Sequence, residues 1–123
     1  MKLEILQIKG NSDKEKERVI FKVLQTCNLG SYIVALSQEL SDGIYSSRIN
    51  NVFWFPDKEV KENDLVVLYT KLGSQNSIVN ENGTTTHFIY WGLDNTLTSD
   101  DKSCIVLLEA KWRFKSISQL SED

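Results

Sequence analysis

Short apolar runs rich in β-branched and aromatic residues recur along almost the whole chain, separated by clusters of Gly, Asn, Asp and Ser. No other feature constrains the fold as tightly. Such runs fit a pleated, half-buried surface, and the clusters between them supply turns. The runs are KLEILQIK (2–9), ERVIFKVLQT (17–26), SYIVALSQ (31–38), RINNVFWF (48–55), DLVVLYTK (64–71), THFIYWGL (86–93), SCIVLLEA (103–110) and KWRFKSI (111–117). Seven or eight strands of this kind predict an all-β domain. Its expected form is an immunoglobulin-like antiparallel β-sandwich with Greek-key connections; a small β-barrel is the alternative. Whether the last two runs form one strand or two is open, because Ala110 and Lys111 suit a bulge or a corner.

At 123 residues the chain is read as one domain over 1–117 with a polar tail over 118–123. That length buries roughly two thirds of the surface of the unfolded chain, so folding needs neither metal nor disulfide. With 14 Lys plus Arg against 17 Asp plus Glu, the net charge of −3 gives no overall field for nucleic acid or anionic lipid. A polyanion partner would have to use a local patch. The opening MKLEILQIKG is broken by Glu4 and Gln7 and has no small-residue cleavage site, so it reads as a first strand. No segment is long enough to cross a membrane, and the expected setting is the cytoplasm. Cys27 and Cys104 are expected as free thiols. The competing reading, an inter-sheet disulfide of the antibody type, lacks the tyrosine two residues before the second cysteine, where Lys102 stands.

Two connections stand out. GNSDKEKE (10–17) is a solvated turn or a helical turn. LGSQNSIVNENGTT (72–85) ends in Asn82-Gly83, a pair suited to a hairpin tip with positive φ at both residues. The strands on either side of it, 64–71 and 86–93, are apolar on both faces, so their outer faces require a cover, and this loop is the candidate.

Candidate chemistry is sparse. His87 is the only histidine, which excludes a multi-histidine metal site. It is either an acid–base candidate for a hydrolase, or a strand histidine bonded to a neighbour or facing solvent. No catalytic, cofactor or metal residues are assigned. In KWRFK, alternation places Lys111, Arg113 and Lys115 on one face and Trp112 and Phe114 on the other. Three cations in a line suit the phosphates of a nucleic-acid backbone. Equally, lysines protect an edge strand whose aromatics enter the core. In NVFWFP (51–56), Phe53 and Phe55 are expected in the core and Trp54 on the outer face, with Pro56 ending the strand.

Glu17, Val19 and Val23, then SYIVAL, then FWFPDKEVKENDLVVLYT, together resemble the lamin tail domain. Phe53-Trp54-Phe55-Pro56 stands for that family's F-x-F-P-like segment, Asn63-Asp64 for its Gly-Asp-like step, and Leu65 to Thr70 for the strand that follows. YWGLDNTL and CIVLLE are similar to its last pair of strands, with Lys102 and Ser103 where a Gly-Asp pair is usual. The resemblance spans about residues 3 to 115. It implies an immunoglobulin-like sandwich without catalytic residues, acting as a binding or tethering module. The expected function is therefore a non-enzymatic interaction module that binds a protein partner or itself through a strand edge or an aromatic patch. Its candidate surface is Trp54, Lys111, Arg113 and Lys115, and the alternative is a weak nucleic-acid binder using 111–115.

Overall fold

The computed structural model of the chain describes residues 1–41, 44–46, 48–99 and 102–122. Within them the strands are β1 (Leu3–Lys9), β2 (Arg18–Val23), β3 (Cys27–Asn28), β4 (Tyr32–Ser41), β5 (Ile44–Tyr45), β6 (Asn50–Trp54), β7 (Glu59–Val60), β8 (Leu65–Tyr69), β9 (Asn76–Val79), β10 (Thr85–Tyr90) and β11 (Ser103–Glu109). A four-residue helix, α1 (Ile117–Leu120), follows, capped by the Ser116 side chain. The chain is all-β, as its runs predict. No helix among the described residues is long and apolar enough to cross a membrane.

Two sheets hold most of the chain. One runs β1-β2-β8-β10-β9, and in the other β4 lies between β11 on one side and β5 and β6 on the other. A short β3-β7 ladder stands beside them. Alternation explains the core between the sheets. In β2 every second residue, Val19, Phe21 and Val23, is fully buried, and these meet Leu3, Val34, Phe55, Val66, Leu68 and Ile89 in one cluster. Each such side chain contributes about 1.5–3 kcal/mol relative to exposure.

Pairing is antiparallel except between β8 and β10, which are parallel. The reason lies in the connection. The chain leaves β8, passes the position of β10, descends as β9, and returns as β10 in the gap between them. The expected hairpin tip at Asn82-Gly83 therefore joins β9 to β10, with one correction. Only Gly83 has positive φ, at 86°, and Asn80 and Thr84 close a three-residue loop through Asn80 N–H to Thr84 O at 2.7 Å. A type I turn followed by a left-handed glycine needs one such residue, not two.

The crossing segment also touches the outer face of the sheet at Gly73. There Tyr69 stacks on Tyr90 with ring centroids 5.4 Å apart and on Phe88 at 6.4 Å. Gly73 lies flat against this stack: a Cβ placed on it would sit 2.4 Å from the Tyr90 ring. The other turn, 10–17, closes one helical turn through Glu17 N–H to Asp13 O at 2.8 Å.

The expected strand over 111–117 does not form. β11 pairs with β4 up to Glu109↔Tyr32, and Ala110 N–H makes one more bond, to Ser31 O at 2.9 Å. Beyond that point no strand among the described residues lies beside it, because the segment before β4 bends into a 3-10 turn over Leu29–Ser31. The edge-strand reading fails with it. Trp112 and Phe114 are 54% and 80% exposed and enter no core.

Candidate functional site

The alternation expected in NVFWFP holds. Phe55 is buried, packing edge-to-face on Phe21 at 5.6 Å and on Phe53 at 5.4 Å, while Trp54 points outward and is 49% exposed. Trp54 sits where β6 pairs with β4 opposite Ile33. Its indole Nε1–H donates to Gly30 O at 2.7 Å, which fixes the ring against the 28–31 turn.

That turn is itself held from three sides. Asn28 Oδ1 accepts from Gly30 N–H at 2.7 Å and from Lys58 N–H at 3.2 Å, and Asn28 Nδ2 donates to Asp57. Leu29 N–H donates to Lys58 O at 2.9 Å. An asparagine at this cap position offers an oxygen to amides that would otherwise lack an acceptor.

Residues 110–114 pass over the same turn. Trp112 meets Trp54 edge-to-face, and Phe114 lies 6.2 Å beyond Trp112. The result is a shelf of three exposed rings, Trp54, Trp112 and Phe114. Beside it lies a cleft of about 450 Å³ bordered by Trp54, Pro56, Asp57 and Trp112. Thus the ring that packs on the outward-facing Trp54 is that of Trp112. Lys111, Arg113 and Lys115 alternate with these aromatics, and all three are exposed. Among the described residues none of the three has an ion-pair partner.

On the far side of the turn a second cleft, about 430 Å³, is lined by Lys2, Cys27, Tyr32, Glu109 and Lys111. The Tyr32 hydroxyl donates to Glu109 Oε2 at 2.5 Å and accepts from Lys2 N–H at 3.1 Å. Burial, together with the bond to the Glu109 carboxylate, pushes the phenol up to about 12. Cys27 and Cys104 are free thiols, and burial pushes the Cys27 thiol up, away from the reactive thiolate. Lys111 lines this cleft while Trp112 lines the other, so the alternation predicted for a strand survives in the extended segment.

His87 is elsewhere, buried on β10. Its Nε2 lies 2.9 Å from Asp64 Oδ2, and its Nδ1 is buried without a partner among the described residues. Asp64 also accepts from Lys61 N–H and Thr85 N–H, both at 3.0 Å. Burial alone would raise the Asp64 carboxyl, but the His87 ring and the two amides hold it below the usual aspartate range. Neither residue lines either cleft at the 28–31 turn. Among the described residues no group of three or more His, Cys, Asp or Glu converges to hold a metal ion.

Sequence reasoning missed one polar centre, Glu17, which is fully buried. Its carboxylate accepts from Leu97 N–H (2.6 Å), Thr98 N–H (3.0 Å), Thr98 Oγ1–H (2.6 Å) and Thr70 Oγ1–H (3.1 Å). Four donors satisfy the charge and tie the start of β2 to the 97–99 turn, a structural role. No protein-family model matches the chain, and no curated protein matches its sequence.

Proposed function

We propose that the chain is a non-enzymatic interaction module, lamin-tail-like in type, that binds a protein partner through the shelf of Trp54, Trp112 and Phe114. One observation carries this reading: Trp54 is anchored by its bond to Gly30 O and yet half exposed. A large ring already fixed in its bound orientation loses little freedom on association. Tryptophan and arginine are also the residue types that dominate interface energetics. The exposed cations Lys111, Arg113 and Lys115 select an acidic partner segment, which would add steering to the apolar contact.

The test compares capture of partners from cell extract by the wild-type chain and by Trp112→Ala, followed by reconstitution with the purified partner. Partners held equally well by Trp112→Ala would remove the shelf from the reading.

A second reading, single-stranded nucleic acid, rests on the interleaving itself. Exposed rings stack on bases while alternating cations meet phosphates. Here tryptophan quenching by an oligothymidylate should weaken steeply with salt. Quenching that survives the triple reversal Lys111→Glu, Arg113→Glu and Lys115→Glu would eliminate this ligand class.

A further inference from the structure

From the edge of the five-stranded sheet, independently of the shelf, we infer that β9 is a homodimer interface, pairing antiparallel with β9 of a second copy. β9 is the last strand of its sheet, so among the described residues one side of its backbone has no ladder partner. All four of its residues are exposed, with Ile78 at 55% and Val79 at 76%. Folded proteins blunt such edges with lysine, proline, bulges or a covering element. The stretch Leu72 to Asn80 has no charged residue and no proline, and its pairing to β10 runs from Thr85↔Val79 to Phe88↔Asn76 without a register shift.

The other edges differ. β1 carries Glu4 and Lys9 and a register shift between Ile5 and Gln7. β6 meets β4 across a register shift, with Asn51 at φ 47°. β11 is half-buried over Ser103–Leu107. Of these four edges, among the described residues, β9 alone is at once exposed, uncharged and regular.

Charge and symmetry select the occupant. An antiparallel pair of identical strands is related by a two-fold axis, so every contact occurs twice and the patch must tolerate itself. Like charges set opposite each other on paired strands are destabilising, and a segment without charge brings none together. A two-fold axis normal to the sheet sets one residue opposite its own copy; centred on Ile78 it pairs the two Ile78 side chains directly, with Ser77 opposite Val79 on either side. Because the opposite edge, β1, is blocked, pairing closes at two copies and does not propagate into a filament.

Sedimentation of the full chain over a concentration series tests this. The expected result is a monomer–dimer equilibrium that Trp112→Ala leaves intact. Ile78→Lys weakens it at least about tenfold, since it sets two cations across the axis, with unchanged circular dichroism and melting. Mixing Ile78→Lys with Ile78→Glu should restore a heterodimer. A wild-type chain that is monomeric throughout overturns the inference, as does an Ile78→Lys chain that dimerises normally or a mixture that fails to pair. If Trp112→Ala abolishes the dimer, self-association belongs to the shelf and the β9 interface is refuted.

Discussion

The ring of Trp112 meets that of Trp54 edge-to-face, with centroids 4.9 Å apart and planes at 80°. This contact joins the segment after β11 to the end of β6 and is made entirely on the surface. An aromatic pair of this geometry contributes about 0.5–1.5 kcal/mol beyond area burial. Trp112→Ala should therefore lower stability by about that amount plus the area term of a half-exposed ring. It should also uncover the edge of Trp54 and shift tryptophan emission to the red. A loss several times larger in urea denaturation would mean that Trp112 belongs to the core and that the shelf is not a free surface.

Glu17 supports a different kind of prediction, because its carboxylate is fully buried and accepts four hydrogen bonds. Glu17→Gln replaces one acceptor oxygen with an NH₂ group that faces N–H and O–H donors. The expected loss is about 2–4 kcal/mol, the order of one or two hydrogen bonds to a charged group. Thr98→Val removes the hydroxyl donor but keeps the amide, and should cost less. Urea unfolding of both variants decides it; a Glu17→Gln chain as stable as wild type would show that the carboxylate is not what ties β2 to the 97–99 turn.

The strands were legible in the sequence wherever a run could pack on both a neighbour and the core. Val19, Phe21 and Val23 alternate in the sequence and are buried in the fold for the same reason. The last run was not legible, because Trp112 and Phe114 have strand propensity whether or not a strand lies beside them. What ends β11 is the 3-10 turn at Leu29–Ser31, which stands far away in the chain. Likewise the cover of Trp54 depends on a contact between residues 54 and 112 that no local pattern encodes. The β9 strand lay hidden in a connection of Gly, Ser, Asn and Gln, with only Ile78 and Val79 to mark it. Glu17 looked like the polar end of a strand, and its burial follows from Leu97 and Thr98 folding over it.

Gly73 tests how firmly the crossing segment covers the outer aromatic stack. A methyl group there would lie 2.4–2.7 Å from three atoms of the Tyr90 ring, inside any real van der Waals contact. Either the segment lifts or Tyr90 turns, and forcing extra volume into a packed contact costs about 1–3 kcal/mol. Gly73→Ala should accordingly lower the melting temperature and speed amide exchange over residues 70–76. The double variant Gly73→Ala with Tyr90→Ala should recover part of the loss, because the atoms in conflict are gone. If Gly73→Ala melts and exchanges like the wild type, the segment does not pack on the ring.

The Asp64–His87 pair contributes to the acid limb of stability. Burial works against the Asp64 carboxylate, but the His87 ring, Thr85 N–H and Lys61 N–H outweigh it, so the folded pKa lies below the unfolded one. The unfolded chain then takes up a proton first as the pH falls. The stability this group contributes is fully present above its ordinary value and drains away as the pH drops through the lower folded value. Asp64→Asn should flatten that limb and destabilise the chain at neutral pH, because Thr85 N–H and Lys61 N–H bond different oxygens and asparagine leaves one of these amides facing an NH₂ group. His87→Phe keeps the amide donors and removes the ring nitrogen, so the Asp64 pKa rises and the stability is lost at a higher pH than in the wild type. Urea midpoints measured through the acid range separate these outcomes. An acid limb left in place by His87→Phe would show that the two amides alone hold the carboxylate, and that the 2.9 Å contact with His87 adds nothing to its ionisation.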